Sequence, residues 1–280
     1  MASSSMRVRP VGAAGVYMVL GAGALLTLAP FALSLMTALK TPEQAATEGP
    51  LTLPHPFTFD NFVQLFTGSH SFLTPLVVTF EMTAFILVGQ MVFSVMAAYA
   101  FGRLTFPGRD AVFWIYLGTM LIPQVATVVP LYVMMSSVGL RNTFWGLVLP
   151  TLFGSPYAIF LLREHFRGIP DDIEDAARLD GAGTLRILWS IIVPMSRPIL
   201  TTLVVITVVS QWNNFMWPLF VTSGPTWEVL TVATQNLQTQ YTDNWTLVMA
   251  ATTLSMAPLV ALYLLTQRNI VNSISLTGFK

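Results

Sequence analysis

Charge is so sparse along this chain that each ionic residue works as punctuation. Between the charges lie six long apolar windows, 10–39, 82–102, 111–140, 142–162, 198–227 and 244–267. A charged side chain at the centre of a membrane-spanning helix costs roughly 2.5–3.5 kcal/mol, so spans and charges exclude one another. A bilayer core about 30 Å thick asks for about 20 apolar residues in a row, a length every window meets. A seventh charge-free window, 61–80, contains Gly68, Ser69, His70, Ser71 and Pro75, and only its end has helical character. The second span is therefore expected to start near Leu73 and to take in Glu81. Proline lies inside several windows, among them Pro30, Pro123, Pro150 and Pro218, which a bundle tolerates where neighbouring groups satisfy the freed backbone. The expected fold is an all-α integral membrane protein of six transmembrane helices.

Composition removes the competing classes. Apolar types make up 54% of the 280 residues and charged types 9%, too little charge to clothe a water-soluble globule of this size. Thirteen basic residues balance thirteen acidic ones, so no net charge points to nucleic acid. Without cysteine there is no disulfide framework, thiolate metal site or cysteine nucleophile. No Gly-x-x-x-x-Gly-Lys-[Ser/Thr] loop occurs, and the only lysines are Lys40 and Lys280, so the chain does not cradle ATP in that way.

Orientation follows the basic residues. An even number of spans puts both tails on one side. That side then carries Arg7, Arg9, Arg103, Arg109, Arg163, Arg167, Arg178, Arg186, Arg197, Arg268 and Lys280, leaving Lys40 and Arg141 opposite. The arginine-bearing face is expected to be cytoplasmic. Residues 10–39 are far longer than a signal-peptide core of about 7–15 residues, so the first span is expected to stay uncleaved. The layout is a tail over 1–9, one transmembrane domain over 10–267 and a tail over 268–280. An outside segment is expected at about 40–73 and a cytoplasmic loop at about 163–197.

Two connections carry more than connecting length. In the outside segment, Asp60 can cap a short helix whose Phe62, Leu65 and Phe66 share one side, either on the membrane surface or against an external partner. The loop after the fourth span holds 11 of the 26 charged residues. Within it, Pro170 suits a helix start, Asp171 and Asp172 complement the positive end of the dipole, and Glu174 precedes Arg178 by one turn. Gly181 and Gly183 are natural terminators. This predicts a helix of about 11 residues, or about 16 Å, with Ile173, Ala176, Ala177 and Asp180 on one face where another surface can approach closely. A second helical stretch from Thr184 should turn Leu185, Leu188, Trp189 and Ile192 toward the membrane and stop at Pro194. The alternative is a solvated loop with helical fragments.

Inside the spans, polar candidates are few. Gln211, Asn213 and Asn214 form an uncharged amide cluster flanked by Trp212 and Trp217, suited to a sugar through stacking and hydrogen bonds to hydroxyls. Asn and Gln also bond across membrane helices, which leaves polar packing as the alternative. Glu81 is the only acidic residue within a span, either at the interface or facing a cavity. A self-sufficient secondary transporter or channel would show several deep acidic residues and repeats, and neither is apparent. A membrane enzyme would need a nucleophile–base pair or a His/Asp/Glu cluster, and none appears. The histidines, His55, His70 and His165, are isolated.

The loop over 175–194 closely resembles the cytoplasmic motif of ABC importer permeases: Glu-Ala-Ala, three residues, Gly, nine residues, then Ile-x-Leu-Pro. Here it is Asp175-Ala176-Ala177, Gly181, then Ile191-Ile192-Val193-Pro194, with Asp for Glu and Val for Leu. Gln211-Trp212-Asn213-Asn214-Phe215-Met216-Trp217-Pro218 is similar to the Trp-Asn-x-Phe-x-x-Pro stretch of maltose-type carbohydrate permeases, with Asn at position 214 where an acid is common. Ala97–Ala100, Arg103–Gly108 and the tail Leu276–Lys280 extend the similarity over nearly the whole chain, most closely to the second permease subunit. The resemblance implies a binding-protein-dependent sugar importer and a bacterial or archaeal cytoplasmic membrane. A second permease would complete a heterodimer, an external solute-binding protein would deliver the solute, and ATP and Mg would belong to a separate ATPase dimer, with no cofactor on this chain. It further implies that Glu174, Asp175, Ala176, Ala177, Asp180 and Gly181 meet the ATPase, and that Gln211, Trp212, Asn213, Asn214 and Glu81 border the pathway.

Overall fold

The computed structural model describes residues 10–68, 71–240 and 244–277; the basic residues at 7, 9 and 280, and His70, lie outside them. In chain order the helices are α1 (Pro10–Ala38), α2 (Pro42–Thr47), α3 (Asp60–Thr67), α4 (Leu73–Arg103), α5 (Arg109–Gly118) and α6 (Gln124–Ser137). They continue as α7 (Phe144–Leu152), α8 (Pro156–Arg167), α9 (Asp171–Leu179), α10 (Thr184–Ile187) and α11 (Val193–Met195). The last are α12 (Arg197–Trp212), α13 (Met216–Val221), α14 (Leu230–Gln240) and α15 (Trp245–Thr277). Among the described residues there is no strand.

Five helical stretches are long and apolar enough to cross a membrane, and a sixth is made if α5 and α6 form one broken span. The expected window 111–140 is thus not one straight helix: a short 3₁₀ turn at Thr119–Leu121 leads to Pro123, and the two arms meet at 101°. Proline offers no N–H and disfavours the α conformation of the residue before it, which explains why the helix stops there. Two further spans are interrupted more gently, at 153–155 between α7 and α8 and at 213–215 between α12 and α13.

The chain groups into two compact units, one of residues through Ser71 with Asn236–Leu254, the other of Phe72–Gln235 with residues from Ser255 onward. In the first unit, α3 differs from expectation. Asn61 and Leu65, one turn apart, are its buried residues, whereas Phe66 is exposed. The reason is polar: Asn61 Nδ2 donates to the carbonyls of Ala38 and Lys40 at 2.8 Å each, and Thr246 donates to its Oδ1. Lys40 is buried too, its Nζ donating to Gly49 O and Thr52 Oγ1. Gln44 ties the segment's two ends together, donating to Glu48 and Leu53 O, with His55 Nδ1 at 2.9 Å. This bond to Gln44 is the main reason the Glu48 carboxyl lies below its usual value of 4.5, with His55 and Lys40 adding to it against a smaller effect of burial.

In the second unit α4 is central, packed by α7, α8 and α12. Its approach to α7 is close enough that a Cβ on Gly89 would meet Leu152 at 2.5 Å. One apolar core, with Val78, Met82, Ile86, Leu147, Trp217 and Val221, sits toward the start of α4. A second, with Tyr99, Phe113, Leu162, Phe166, Ala177, Ile187, Leu188, Ile192 and Leu203, sits at its arginine-bearing end. The interruption at 153–155 is stapled by α4 and α5. Gln90 Nε2 donates to Thr151 O at 2.7 Å, Ser155 N donates to Ser94 Oγ at 3.0 Å, and the Tyr116 hydroxyl donates to Gly154 O. Apolar surroundings give unpaired backbone no water, so these side chains satisfy what proline and glycine leave open.

Candidate functional site: a charged foot and a broken amide span

Helix α9 forms where the sequence predicts it but spans nine residues. Pro170 stands just before it, with Asp171, Asp172 and Glu174 in its first turn and Arg178 in its last, all favourable to the helix dipole. It ends because Gly181 turns left-handed at φ 79°, where its N–H reaches Arg178 O and Ala182 N reaches Ala177 O.

Tertiary contacts split the expected single face. Ala177 enters the core, Ile173 is half-buried, and Ala176 and Asp180 remain exposed. Glu174 is only 5% exposed and faces inward, away from any partner's basic groups. Its Oε2 accepts from the Tyr99 hydroxyl at 2.9 Å, and its Oε1 stands 3.2 Å from Arg103 Nε, an ion pair without hydrogen-bond alignment. Arg103, the last residue of α4, also pairs with Asp171 and donates to Ile169 O. Arg178 Nη2 adds a longer contact to Glu174 Oε2 at 3.7 Å. The exposed face of α9 therefore carries Asp172, Asp175, Ala176, Leu179 and Asp180.

Leu179 is 90% exposed, a large apolar residue beside acids. It stands one turn after Asp175 and Ala176 and so shares their face, a position not singled out from the sequence. Tyr99 and Arg103 were also missed as partners of α9, because nothing in sequence separation joins positions so far apart. Next to them Arg163 is buried over the Phe113 ring, 4.1 Å from its centroid, and donates to Phe101 O. It also pairs with Asp110 and Glu164.

The stretch after α9 also departs from the expected pattern. Ile187, Leu188 and Ile192 are buried, while Leu185 and Trp189 are exposed, and helix continues past Pro194 to Met195. A π-helical turn at Leu188–Ile192 interrupts the α period within this stretch.

The amide cluster lies at the second interruption. Trp212 ends α12, and Met216 begins α13. Gln211 and Trp212 are buried, Asn213 is exposed and Asn214 is half-buried. Trp212 Nε1 donates to Ser255 O, Asn213 Nδ2 to Val209 O, and Thr231 Oγ1 to Asn214 O. Among the described residues Gln211 Oε1 is buried without a donor. Glu81 is exposed on α4 and makes neither hydrogen bond nor ion pair among the described residues. It lies 22 positions before Arg103, about 33 Å along the helix, so the two charges stand about one bilayer core apart. Among the described residues no three His, Cys, Asp or Glu side chains converge as a metal site.

The family model "Binding-protein-dependent transport system inner membrane component" matches residues 90–276, from the middle of α4 through α15. The chain belongs to this family. Among relatives of this permease, the sn-glycerol-3-phosphate transport system permease protein of Yersinia pestis bv. Antiqua is 33% identical over 258 residues, covering 88% of this chain and 90% of that one. The arabinooligosaccharides transport system permease protein of Halalkalibacterium halodurans is 30% identical over 227 residues, 81% of each. A chain of a bacterial ABC transporter that imports the acidic polysaccharide alginate has the same fold, with a TM-score of 0.81 at 24% identity over 96% of this chain and 98% of that one. An alginate ABC transporter bound to its pentasaccharide-loaded periplasmic protein has a chain that matches at a TM-score of 0.63. The permease is an all-α, multi-pass inner-membrane protein of a transport system, and its relatives are permeases, not enzymes.

Proposed function

We propose that this permease pairs with a second permease to form the pathway of an ATP-driven importer for a sugar or sugar-like solute handed over by an external binding protein. ATP and Mg are bound by a separate cytoplasmic ATPase pair. The observation that carries the reading is α9 itself. It is fixed to the arginine-bearing end of α4 from within, while Asp172, Asp175, Ala176, Leu179 and Asp180 face outward. A small-residue step beside an apolar knob, rimmed by acids, fits a groove with basic edges. Ala177 and Gly181 shape this foot from inside, through core packing and the left-handed turn.

The arginine-bearing ends are cytoplasmic, and so are both tails, over 1–9 and 268–280. The transmembrane part runs over 10–267, with an outside segment at about 40–73 and the coupling loop at about 163–197. The membrane is the bacterial or archaeal cytoplasmic membrane.

For the solute, the break at 213–215 supports a pathway: irregular backbone at membrane depth is tolerated where protein or a watery cavity covers it. Gln211, Asn213 and Asn214 offer neutral amides and Trp212 an aromatic wall, while Glu81 stands near the outer interface. Neutral amides favour a neutral, hydroxyl-rich solute. Relatives named for glycerol 3-phosphate and for arabinooligosaccharides bracket the choice.

Reconstitution of both permeases and the ATPase pair in vesicles tests the reading. Uptake of a radiolabelled sugar bound by the cognate binding protein requires ATP on the α9 side and stops when the ATPase's phosphate-loop lysine is replaced. Uptake by this chain alone would instead establish a self-sufficient transporter. A binding protein that takes glycerol 3-phosphate and no neutral sugar would overturn the neutral preference.

A further inference from the structure

We infer that Glu174 is a positioning residue that fastens the coupling foot to α4, so that nucleotide-driven motion enters the membrane through α4 rather than through α12 alone. The inference rests on the coupling role proposed above for α9 and assigns its internal wiring.

Besides the three-residue link at 168–170 back to α8, two routes join α9 to the spans. The covalent one, toward α12, passes the left-handed glycine at 181, a helix over 184–195 that contains the π turn, and then a break at Ser196. At that break, Ser196 N shares Ile192 O and Val193 O, and its hydroxyl turns back to Ile192 O. Each break is a place where helix direction can change without loss of a whole helix.

The other route is a direct grip on α4. Tyr99 and Arg103, one turn apart, hold the two oxygens of the Glu174 carboxylate, and Arg103 also holds Asp171 and Ile169 O. Side chains of Arg103 and Glu174 are each 7% exposed, so the pair is little screened by water or salt. Four points of attachment fix both position and rotation of α9 against α4. Because α4 packs on α7, α8 and α12, displacement of the foot is delivered to the centre of this unit. The acids of the loop thus divide: Glu174 serves the chain itself, whereas Asp172, Asp175 and Asp180 remain for a partner.

The test uses the assembled complex with Asn213→Cys as reporter and the partner chains free of cysteine, since this chain has no native cysteine. Its modification rate by a membrane-impermeant maleimide is measured without nucleotide and after trapping with ATP and vanadate, with trapped nucleotide quantified alongside. With Glu174 present, the two states should differ by at least about tenfold. Glu174→Gln should reduce that difference to less than about twofold. Tyr99→Phe, which removes one hydrogen bond and keeps the ion pair, should lie between. It also decides the matter if Glu174→Gln does not assemble. A full nucleotide-dependent difference in Glu174→Gln, or in Tyr99→Phe when the former is lost, overturns the wiring. The absence of any difference in the unsubstituted complex would instead count against the coupling and pathway reading.

Discussion

The permease contains two partly buried polar centres built on opposite plans. At the end of α4, full charges are used, and each has an opposite charge nearby: Arg103 meets Glu174, Asp171 and a carbonyl, and Glu174 also Tyr99, although Arg103 Nε and Glu174 Oε1 face each other at 3.2 Å without a hydrogen bond. At the break between α12 and α13, only neutral amides and indoles are used, and one acceptor, Gln211 Oε1, is left over. Desolvating an ion costs several kcal/mol unless it is paired, so buried charge calls for a paired network such as this one. Amides cost less to bury and exchange partners readily, which is compatible with the pathway role proposed for them. Rigidity and exchange are thus separated by position along the spans.

The strongest challenge to that contrast is Arg103→Met. It leaves Glu174 buried without its cation and should destabilise the complex by about 3–5 kcal/mol, seen as a lower thermal midpoint in detergent. A change below about 1 kcal/mol would mean that the network is as loosely held as a surface pair.

Gly181→Pro comes next. Proline cannot reach a φ of 79°, and strain at such a turn costs about 1–3 kcal/mol. Membrane insertion should persist while ATP-dependent uptake disappears, since the end of α9 would be displaced; normal uptake would show that the foot's geometry does not matter.

Gln211→Leu sharpens the other half. Removing an unsatisfied buried acceptor should leave stability unchanged or raise it by about 1 kcal/mol, yet uptake should fall. A loss of stability would show that the amide is a packing group.

The smallest effect belongs to the outside segment. Glu48, held below its usual 4.5 chiefly by Gln44, stabilises the segment while ionised. A lowered folded value places that stability above the unfolded pKa and removes it as pH falls through the folded one. Amide exchange over residues 40–60 should therefore be flat from neutral pH to about 5 after correction for intrinsic rates, then rise below about 4.5. Glu48→Gln should abolish that rise.

The spacing of charges was enough to locate the spans, because water and hydrocarbon sort side chains wherever the chain goes. It also placed α9, whose start and stop are local matters of dipole, proline and glycine. Direction was less accessible. Ala176 and Ala177 are neighbours in a favourable pattern, but only Ala177 is packed, since the core around Phe166 and Leu188 lies on its side. After α9, Leu188 and Ile192 are buried while Leu185 and Trp189 are exposed, and a π turn interrupts the period there, a feature that α periodicity does not reveal.

What the sequence determined by itself was an all-helical membrane chain with an acidic, alanine- and glycine-marked helix between its fourth and fifth spans. These depend on hydropathy and on neighbours within a turn or two. Only the tertiary structure decided that the carboxylate of Glu174 turns inward to Tyr99 and Arg103, and that the third window bends by 101°. The former pairs groups more than seventy positions apart, and the latter depends on what covers a proline, neither of which is encoded in local spacing.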